Sequence, residues 1–132
     1  MELQIAATFP PQTSSAAAAR DFVGSACVDW HLEPLAEDLA LVVTELVANA
    51  IRHAGTDIAV LLVRLEGGVR LEVHDGSTRP LRPRSATVLD EGGRGLLLVD
   101  ALSSRFGVEG EPKGKRVWVE LYLDVREPVG TR

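Results

Sequence analysis

Apolar and polar positions alternate at the start of the chain and then change to a helical period. Residues 3–9 place every second side chain on one side, which predicts a strand that ends at the two prolines after it. Between Thr13, where a run of three hydroxyl side chains can cap a helix, and about Trp30, apolar residues recur every three or four positions. The apolar stripe of this predicted helix consists of Ala19, Phe22, Val23, Ala26 and Trp30.

A second helix is predicted from about Leu35 to Ala54, with Gly55 as its C-terminal cap. At about 100° per residue this helix has two different faces. The apolar face consists of Leu39, Val43, Leu46, Val47, Ala50, Ile51 and Ala54. The opposite face carries Asp38, Glu45, Asn49 and Arg52, with His53 at its edge. Glu45 and Asn49 therefore stack one turn apart, outside the core, on a face that is either solvated or functional.

The rest of the chain predicts four more strands, one more helix and a long loop. Residues 57–65 are almost continuously apolar, as expected of a strand covered on both faces. Residues 69–75 alternate, and residues 76–94 show no period at all. A structureless connection of this length is usually functional or disordered. Residues 95–104 then predict a helix, followed by a hairpin that ends the fold. In the alternating strand Val69, Leu71 and Val73 point inward and Arg70, Glu72 and His74 outward.

The resulting order β-α-α-β-β-loop-α-β-β predicts an α/β (α+β) two-layer sandwich in which helices cover one face of a mixed sheet. We expect residues 1–125 to form a single domain that includes the loop 76–94. Residues 126–132 are expected to be a frayed tail.

Composition narrows the classes of function. The chain has 132 residues, 45% of them hydrophobic and 25% charged, as in an ordinary globular protein. Its net charge of -5 argues against a protein that binds nucleic acid nonspecifically. A single cysteine, Cys27, fits a core side chain in a reducing compartment. No signal peptide or membrane-length apolar run is present, so we expect a cytoplasmic protein without membrane contact. The three histidines lack the spacing of zinc ligands.

Three short segments carry candidate chemistry, although each alone is weak evidence. They are "ELVANAIRH" at 45–53, "VHDGS" at 73–77 and "GGRGLLLVDAL" at 92–102. The second segment ends a strand with Asp75 exposed at a turn, a usual place for a recognition carboxylate, although an Asp-Gly pair by itself is usually only a turn. A Gly-x-Gly at a helix N-terminus can present backbone N–H groups to phosphate, but a hinge is the default. The third segment is neither a dinucleotide fingerprint nor a P-loop.

Together, and in this order, these segments resemble the N, G1 and G2 boxes of the Bergerat-fold (GHKL) ATPases, the superfamily of gyrase and the sensor histidine kinases. The closer resemblance is to the small stand-alone anti-sigma-factor serine/threonine kinases of bacteria, especially the short actinobacterial type. It covers nearly the whole chain. The final strand contributes Gly114, Lys115, Val117, Trp118, Glu120 and Leu121 to it.

This resemblance implies ATP and Mg²⁺ as cofactors and assigns roles to individual residues. Asn49 would hold the Mg²⁺ that bridges the ATP phosphates. Glu45 would orient or deprotonate the hydroxyl of a serine or threonine on a partner protein. Asp75 would accept a hydrogen bond from the adenine amino group. The backbone at Gly93 and Gly95 would close over the phosphates. Further contacts with the nucleotide are implied for His53, Gly76, Arg94 and Leu96.

The same resemblance implies a regulator that phosphorylates an anti-anti-sigma (STAS-type) partner and holds a sigma factor when that partner is absent. It also implies a homodimer and no direct contact with nucleic acid. This chain departs from the family in the G1 box, where Ser77 and Arg79 replace glycines, and in the final strand, which reads "GKRV" without the usual threonine. An alternative is therefore a non-catalytic module with weakened nucleotide binding that only sequesters partners. A detached histidine-kinase domain is disfavoured, because the sequence shows no phospho-acceptor helix pair ahead of the domain.

Overall fold

A computed structural model describes residues 3–77 and 94–123, without the side chains of 94–97. The elements follow the predicted order, with one short 3₁₀ turn added at Glu33–Leu35. The helices are α1 (Ser14–Asp29), α2 (Ala36–His53) and α3 (Arg94–Leu102). The strands are β1 (Gln4–Phe9), β2 (Ile58–Leu65), β3 (Gly68–Asp75), β4 (Arg105–Glu111) and β5 (Gly114–Tyr122).

Helix α1 buries its predicted stripe, with only Phe22 partly exposed. Its start differs from the expectation that a hydroxyl caps the helix. Thr13 occupies the cap position but makes no side-chain cap hydrogen bond. The Ser15 hydroxyl instead donates to the Pro10 carbonyl oxygen at 2.6 Å, which ties the helix to the end of β1. After the helix the chain reverses through His31, whose φ of 58° lies in the left-handed region.

Helix α2 confirms the two-faced pattern that the sequence predicted. Its core face is fully buried, with Ile51 and Ala54 half-buried at the margin. Gly55 has a φ of +66°, a conformation that glycine adopts without strain at a helix C-terminus. The buried residues of α2 are Leu39, Val42, Val43, Leu46, Val47 and Ala50.

The five strands are ordered β1-β2-β3-β5-β4. Every neighbouring pair is antiparallel, so the two-layer fold is confirmed but the predicted mixed sheet is wrong. The two helices between β1 and β2 return the chain in the opposite direction, and β2–β3 and β4–β5 are hairpins.

Strand β2 is fully buried on one face only, contrary to the expectation from its apolar run. Ile58, Val60 and Leu62 belong to the core shared with the helices. The intervening side chains, on what we call the outer face of the sheet, are half-buried. The alternation was hidden because the outer-face positions of this strand are also apolar. Among the described residues, no helix is both long and apolar enough to cross a membrane.

Candidate functional site

Glu45 and Asn49 lie where the helical wheel places them, half-buried and away from the core face of α2. The side chain of Asn49 is oriented by its neighbour, because Arg52 Nη2 donates to Asn49 Oδ1. Thr44, the residue before Glu45, is held by two hydrogen bonds. Its hydroxyl donates to the Ala40 carbonyl at 2.7 Å, and Arg20 Nη1 donates to it at 3.2 Å. The arrangement presents one carboxylate and one amide oxygen on an ordered helix surface.

His53, the last residue of α2, is half-buried. Helix α2 contacts both β3 and α3, so it connects the elements that contain the other predicted site residues. Arg94, Gly95 and Leu96 form the first turn of α3. Gly93 and the other loop arginines, Arg79, Arg82 and Arg84, lie outside the described residues, as does most of the predicted loop 76–94.

Asp75 is buried, which corrects the expectation that it is exposed at a turn. Only 7% of the residue is accessible. Asp75 is the last residue of β3 and continues the inward-facing series of Leu71 and Val73. Lys115 Nζ donates to Asp75 Oδ2 at 2.7 Å, and the Ser77 backbone N–H donates to Asp75 Oδ1 at 2.8 Å. Lys115 reaches it because the two residues are direct partners in the β3–β5 register.

The backbone around Asp75 is closely packed and uses two glycines. The Gly76 N–H donates to the Thr56 hydroxyl at 2.8 Å, and a Cβ at Gly76 would lie 3.0 Å from that side chain. A Cβ at Gly114 would overlap the Asp75 carbonyl oxygen. Gly114 therefore needs to be glycine, whereas a Cβ at Gly76 would require the Thr56 side chain to shift slightly. These close contacts hold the end of β3 against β5 and against the chain leading into β2.

A second cluster of charges lies on the outer face of the sheet and involves Arg70, Glu72, His74, Arg116 and Glu120, which we call the outer-face network. Arg70 donates from Nε to Glu72 Oε2 and from Nη1 to Glu120 Oε2, each at 2.9 Å. His74 Nε2 lies 2.9 Å from Glu72 Oε1, and Arg116 Nη1 lies 3.8 Å from the same oxygen. The outward direction of Arg70, Glu72 and His74 was predicted, but their pairing was not.

The network determines the ionisation of Glu72. Burial raises the pKa of the Glu72 carboxyl, but the hydrogen bonds from Arg70 and His74 and the charges of Arg70 and Arg116 outweigh it, so the pKa lies below its ordinary value. The Arg70 guanidinium also stacks on Trp118, 4.4 Å from the ring centroid. Trp118 therefore packs half-buried on the outer face of the sheet.

The core predictions for Cys27 and Trp30 are confirmed, since these residues are 1% and 3% exposed. Burial, and secondarily the charge of Glu33, raises the pKa of the Cys27 thiol. In the described part of the chain, no group of three or more His, Cys, Asp or Glu side chains is placed to hold a metal ion. A metal at Asn49 would therefore need further ligands from water or substrate.

Two residues at the site were missed by the sequence reasoning. Thr56 receives the Gly76 N–H, and Lys115, which had been noted only as part of a family motif, pairs with Asp75. Lys115 could have been placed, because it precedes Val117, Val119 and Leu121 at a period of two on the inward side of β5. Thr56 offers no such periodicity, since it lies in the connection between α2 and β2.

Comparison with known proteins gives two findings. A family model for the histidine kinase-like ATPase domain matches residues 9–121, from the end of β1 to the penultimate residue of β5. An uncharacterised protein of Streptomyces coelicolor is 45% identical over 71 residues, which make up 50% of this chain and 68% of that protein.

Proposed function

Since the chain belongs to the ATP-binding family of histidine kinase-like ATPase domains, we propose that it is a serine/threonine protein kinase of the anti-sigma-factor type. In this proposal it phosphorylates an anti-anti-sigma (STAS-type) partner and holds a sigma factor when that partner is absent. We further propose that it acts as a homodimer in the cytoplasm. The observation that carries the kinase proposal is the placement of Glu45 one turn before Asn49 on the same half-buried face of α2.

The residues present suit a magnesium nucleotide. Asn49 offers one amide oxygen, and Mg²⁺ in such sites takes only one or two protein ligands and keeps several waters. The oxygen already accepts from Arg52, but it has a second lone pair. Asp75 offers a buried, oriented acceptor to the amino group of a base, and its oxygens also retain lone pairs beyond the two donors that hold them.

When bound, ATP supplies the phosphoryl group, and Mg²⁺ supplies positive charge that neutralises the phosphate oxygens. The chain supplies position and a proton acceptor. Asn49 would hold the metal, and Asp75 would accept the hydrogen bond of the adenine amino group. A Glu45 carboxylate oxygen would orient the partner's serine or threonine hydroxyl and take its proton. Glu45 is suited to this because it lies outside the core yet one helical turn from the metal ligand.

A second candidate function is a binding module that sequesters its partners without catalysis. One observation favours it: an oxygen of the proposed adenine acceptor, Asp75, is already paired with Lys115 at 2.7 Å. If this ion pair were kept in the presence of a nucleotide, Asp75 would be a poorer acceptor and ATP would bind weakly. The surfaces that bind partner proteins would be unaffected.

The two functions are separated by changing Glu45 and Asn49 singly. Asn49→Ala should lower both Mg²⁺-dependent ATP affinity and phosphotransfer, because it removes the metal ligand. Glu45→Ala should keep the ATP affinity and lower transfer by about 10²–10⁴-fold, the usual contribution of a general base. Glu37→Ala, on the exposed first turn of α2, is the matched control and should change neither.

The measurements are calorimetric titration with ATP and Mg²⁺, and transfer of labelled phosphate to a partner encoded beside this chain. Wild-type protein that binds ATP but labels no cognate partner would favour the binding module. Transfer by Glu45→Ala at the wild-type rate would exclude Glu45 as the proton acceptor.

A further inference from the structure

Lys115 is the charged partner of Asp75. Its side chain points to the same side of the sheet as the buried residues of β5, and it faces Asp75 directly in the β3–β5 register. The side chain of Asp75 is 3% exposed, whereas that of Lys115 is 17% exposed. The lysine side chain is therefore the more accessible of the two.

The pair has unused hydrogen-bonding capacity. A lysine ammonium has three N–H donors, and each carboxylate oxygen has two lone pairs. Within residues 3–77 and 94–123, Lys115 Nζ donates only to Asp75 Oδ2, and Asp75 accepts only from Lys115 and from the Ser77 N–H. A donor and an acceptor thus stand side by side, 2.7 Å apart, with capacity left on each.

We propose that Lys115 is a base-reading residue that acts together with Asp75. The Watson–Crick edge of adenine presents a donor, the N6 amino group, next to an acceptor, N1. Asp75 accepts from N6, and Lys115 donates to N1. Guanine presents an acceptor and a donor at these two positions in the opposite order, so the order of the carboxylate and the ammonium selects adenine. This inference rests on the proposed nucleotide site and adds a residue to it.

The test pairs a change in the protein with a change in the ligand. 1-Deaza-ATP has a C–H group in place of N1 and keeps the amino group. Wild-type protein should bind 1-deaza-ATP about 10- to 100-fold more weakly than ATP, the usual scale for a hydrogen bond to a charged group. Lys115→Met keeps an unbranched side chain but removes the ammonium, so it should bind both nucleotides equally. The readout is affinity by calorimetry, which needs no catalysis.

Two controls accompany the titrations. Lys113→Met changes an exposed lysine in the turn between β4 and β5 and should keep the wild-type preference for ATP. 7-Deaza-ATP alters the opposite edge of the purine and should bind Lys115→Met and wild type with the same ratio as ATP does. Because Lys115→Met leaves a buried carboxylate unpaired, the double variant Asp75→Asn with Lys115→Met is made as well. It should also bind ATP and 1-deaza-ATP equally.

Each contrary result has its own meaning. If Lys115→Met binds ATP and 1-deaza-ATP more weakly than wild type by the same factor, and so keeps the preference for ATP, Lys115 only positions Asp75 and the proposal is overturned. Wild-type protein that binds ATP and 1-deaza-ATP equally overturns the proposal while leaving the nucleotide site intact. Wild-type protein that binds no ATP with Mg²⁺ present overturns the proposed function as well.

Discussion

Strand β3 carries two buried carboxylates, Glu72 and Asp75, on opposite faces of the sheet, and each is 7% exposed. Glu72 lies in the interior of the strand, where Arg70 Nε donates to one carboxylate oxygen and His74 Nε2 lies 2.9 Å from the other, with the guanidinium of Arg116 nearby. Asp75 lies at the strand end, held by Lys115 and a backbone N–H. The two carboxylates are equally buried and both are ion-paired, so neither burial nor pairing by itself identifies a ligand site. The difference is one of position. Asp75 lies at the end of its strand, where its oxygens can accept further hydrogen bonds, whereas Glu72 is surrounded by positively charged side chains of its own chain.

The largest expected effect comes from forcing the Asp75 end of the sheet apart. Gly114→Ala should lower the free energy of unfolding by about 3 kcal/mol, because the new Cβ would overlap the backbone oxygen of Asp75 and no side-chain movement relieves it. Gly24→Ala in α1 is the control, since nothing lies within 4 Å of its Cβ position, and it should be neutral or stabilising by up to about 1 kcal/mol. Urea unfolding of both variants measures this. A loss below about 1 kcal/mol for Gly114→Ala would mean that β5 yields easily at this end.

The second effect separates binding from folding at Asp75. Asp75→Asn should weaken ATP binding by about 1.5–3 kcal/mol, because it removes a charged acceptor. It should also lower stability, since Lys115 would lose its partner, whereas an exposed turn residue would have given no change. Calorimetric titration and thermal unfolding report the two quantities, with Asp29→Asn at the exposed end of α1 as the control. Unchanged ATP affinity in a folded variant would leave Asp75 as a structural ion pair, equivalent to Glu72.

The smallest effect is a pH dependence that belongs to Glu72. Its folded-state pKa is below the unfolded value, so its contribution to stability is present above about pH 4.5 and is lost as the pH falls through the folded pKa. Glu72→Gln should therefore destabilise the protein by about 1–2 kcal/mol at pH 7, reduced because its partners are partly solvated. The deficit should shrink steadily below pH 4.5.

Denaturant unfolding between pH 7 and pH 3 measures this deficit, and Glu66→Gln, in the exposed turn before β3, should show none of it. ATP affinity should be the same in Glu72→Gln as in wild type. A loss of affinity there would show that the two faces of the sheet are coupled, and the contrast drawn between the two carboxylates would no longer hold.

The parts of the fold that sequence could predict are those in which one period runs through a whole element. The two faces of α2 and the inward series Val69, Leu71 and Val73 are set by spacing alone, so their burial followed directly. The prediction for strand β2 was wrong because its outer-face residues are also apolar, so the sequence shows no alternation of apolar and polar positions. The direction of each strand depends on how many elements separate it from its neighbour in the sheet, which single-element patterns do not contain.

Within the site, the residues on α2 were placed correctly, while the surroundings of Asp75 were not. The pattern of β3 alone could have put Asp75 on the inward side, but its ion pair depends on Lys115, 40 residues away along the chain. Such a contact requires the pairing of β3 with β5 and its register, and both are properties of the assembled sheet. The catalytic role of Glu45 and the metal-binding role of Asn49 remain predictions.

The length of the tight hairpin between β4 and β5 determines which residue of β5 lies opposite Asp75. Pro112 and Lys113 form the connection, and Gly114 opens β5 directly behind it. A single deleted residue there would move β5 by one position, and because side chains alternate between faces, each would change sides. Arg116 would then come opposite Asp75, and the lysine would move to the outer face. A length change of one residue that shifts the register should therefore not be tolerated, since a deletion places a guanidinium, and an insertion places Gly114, opposite the carboxylate.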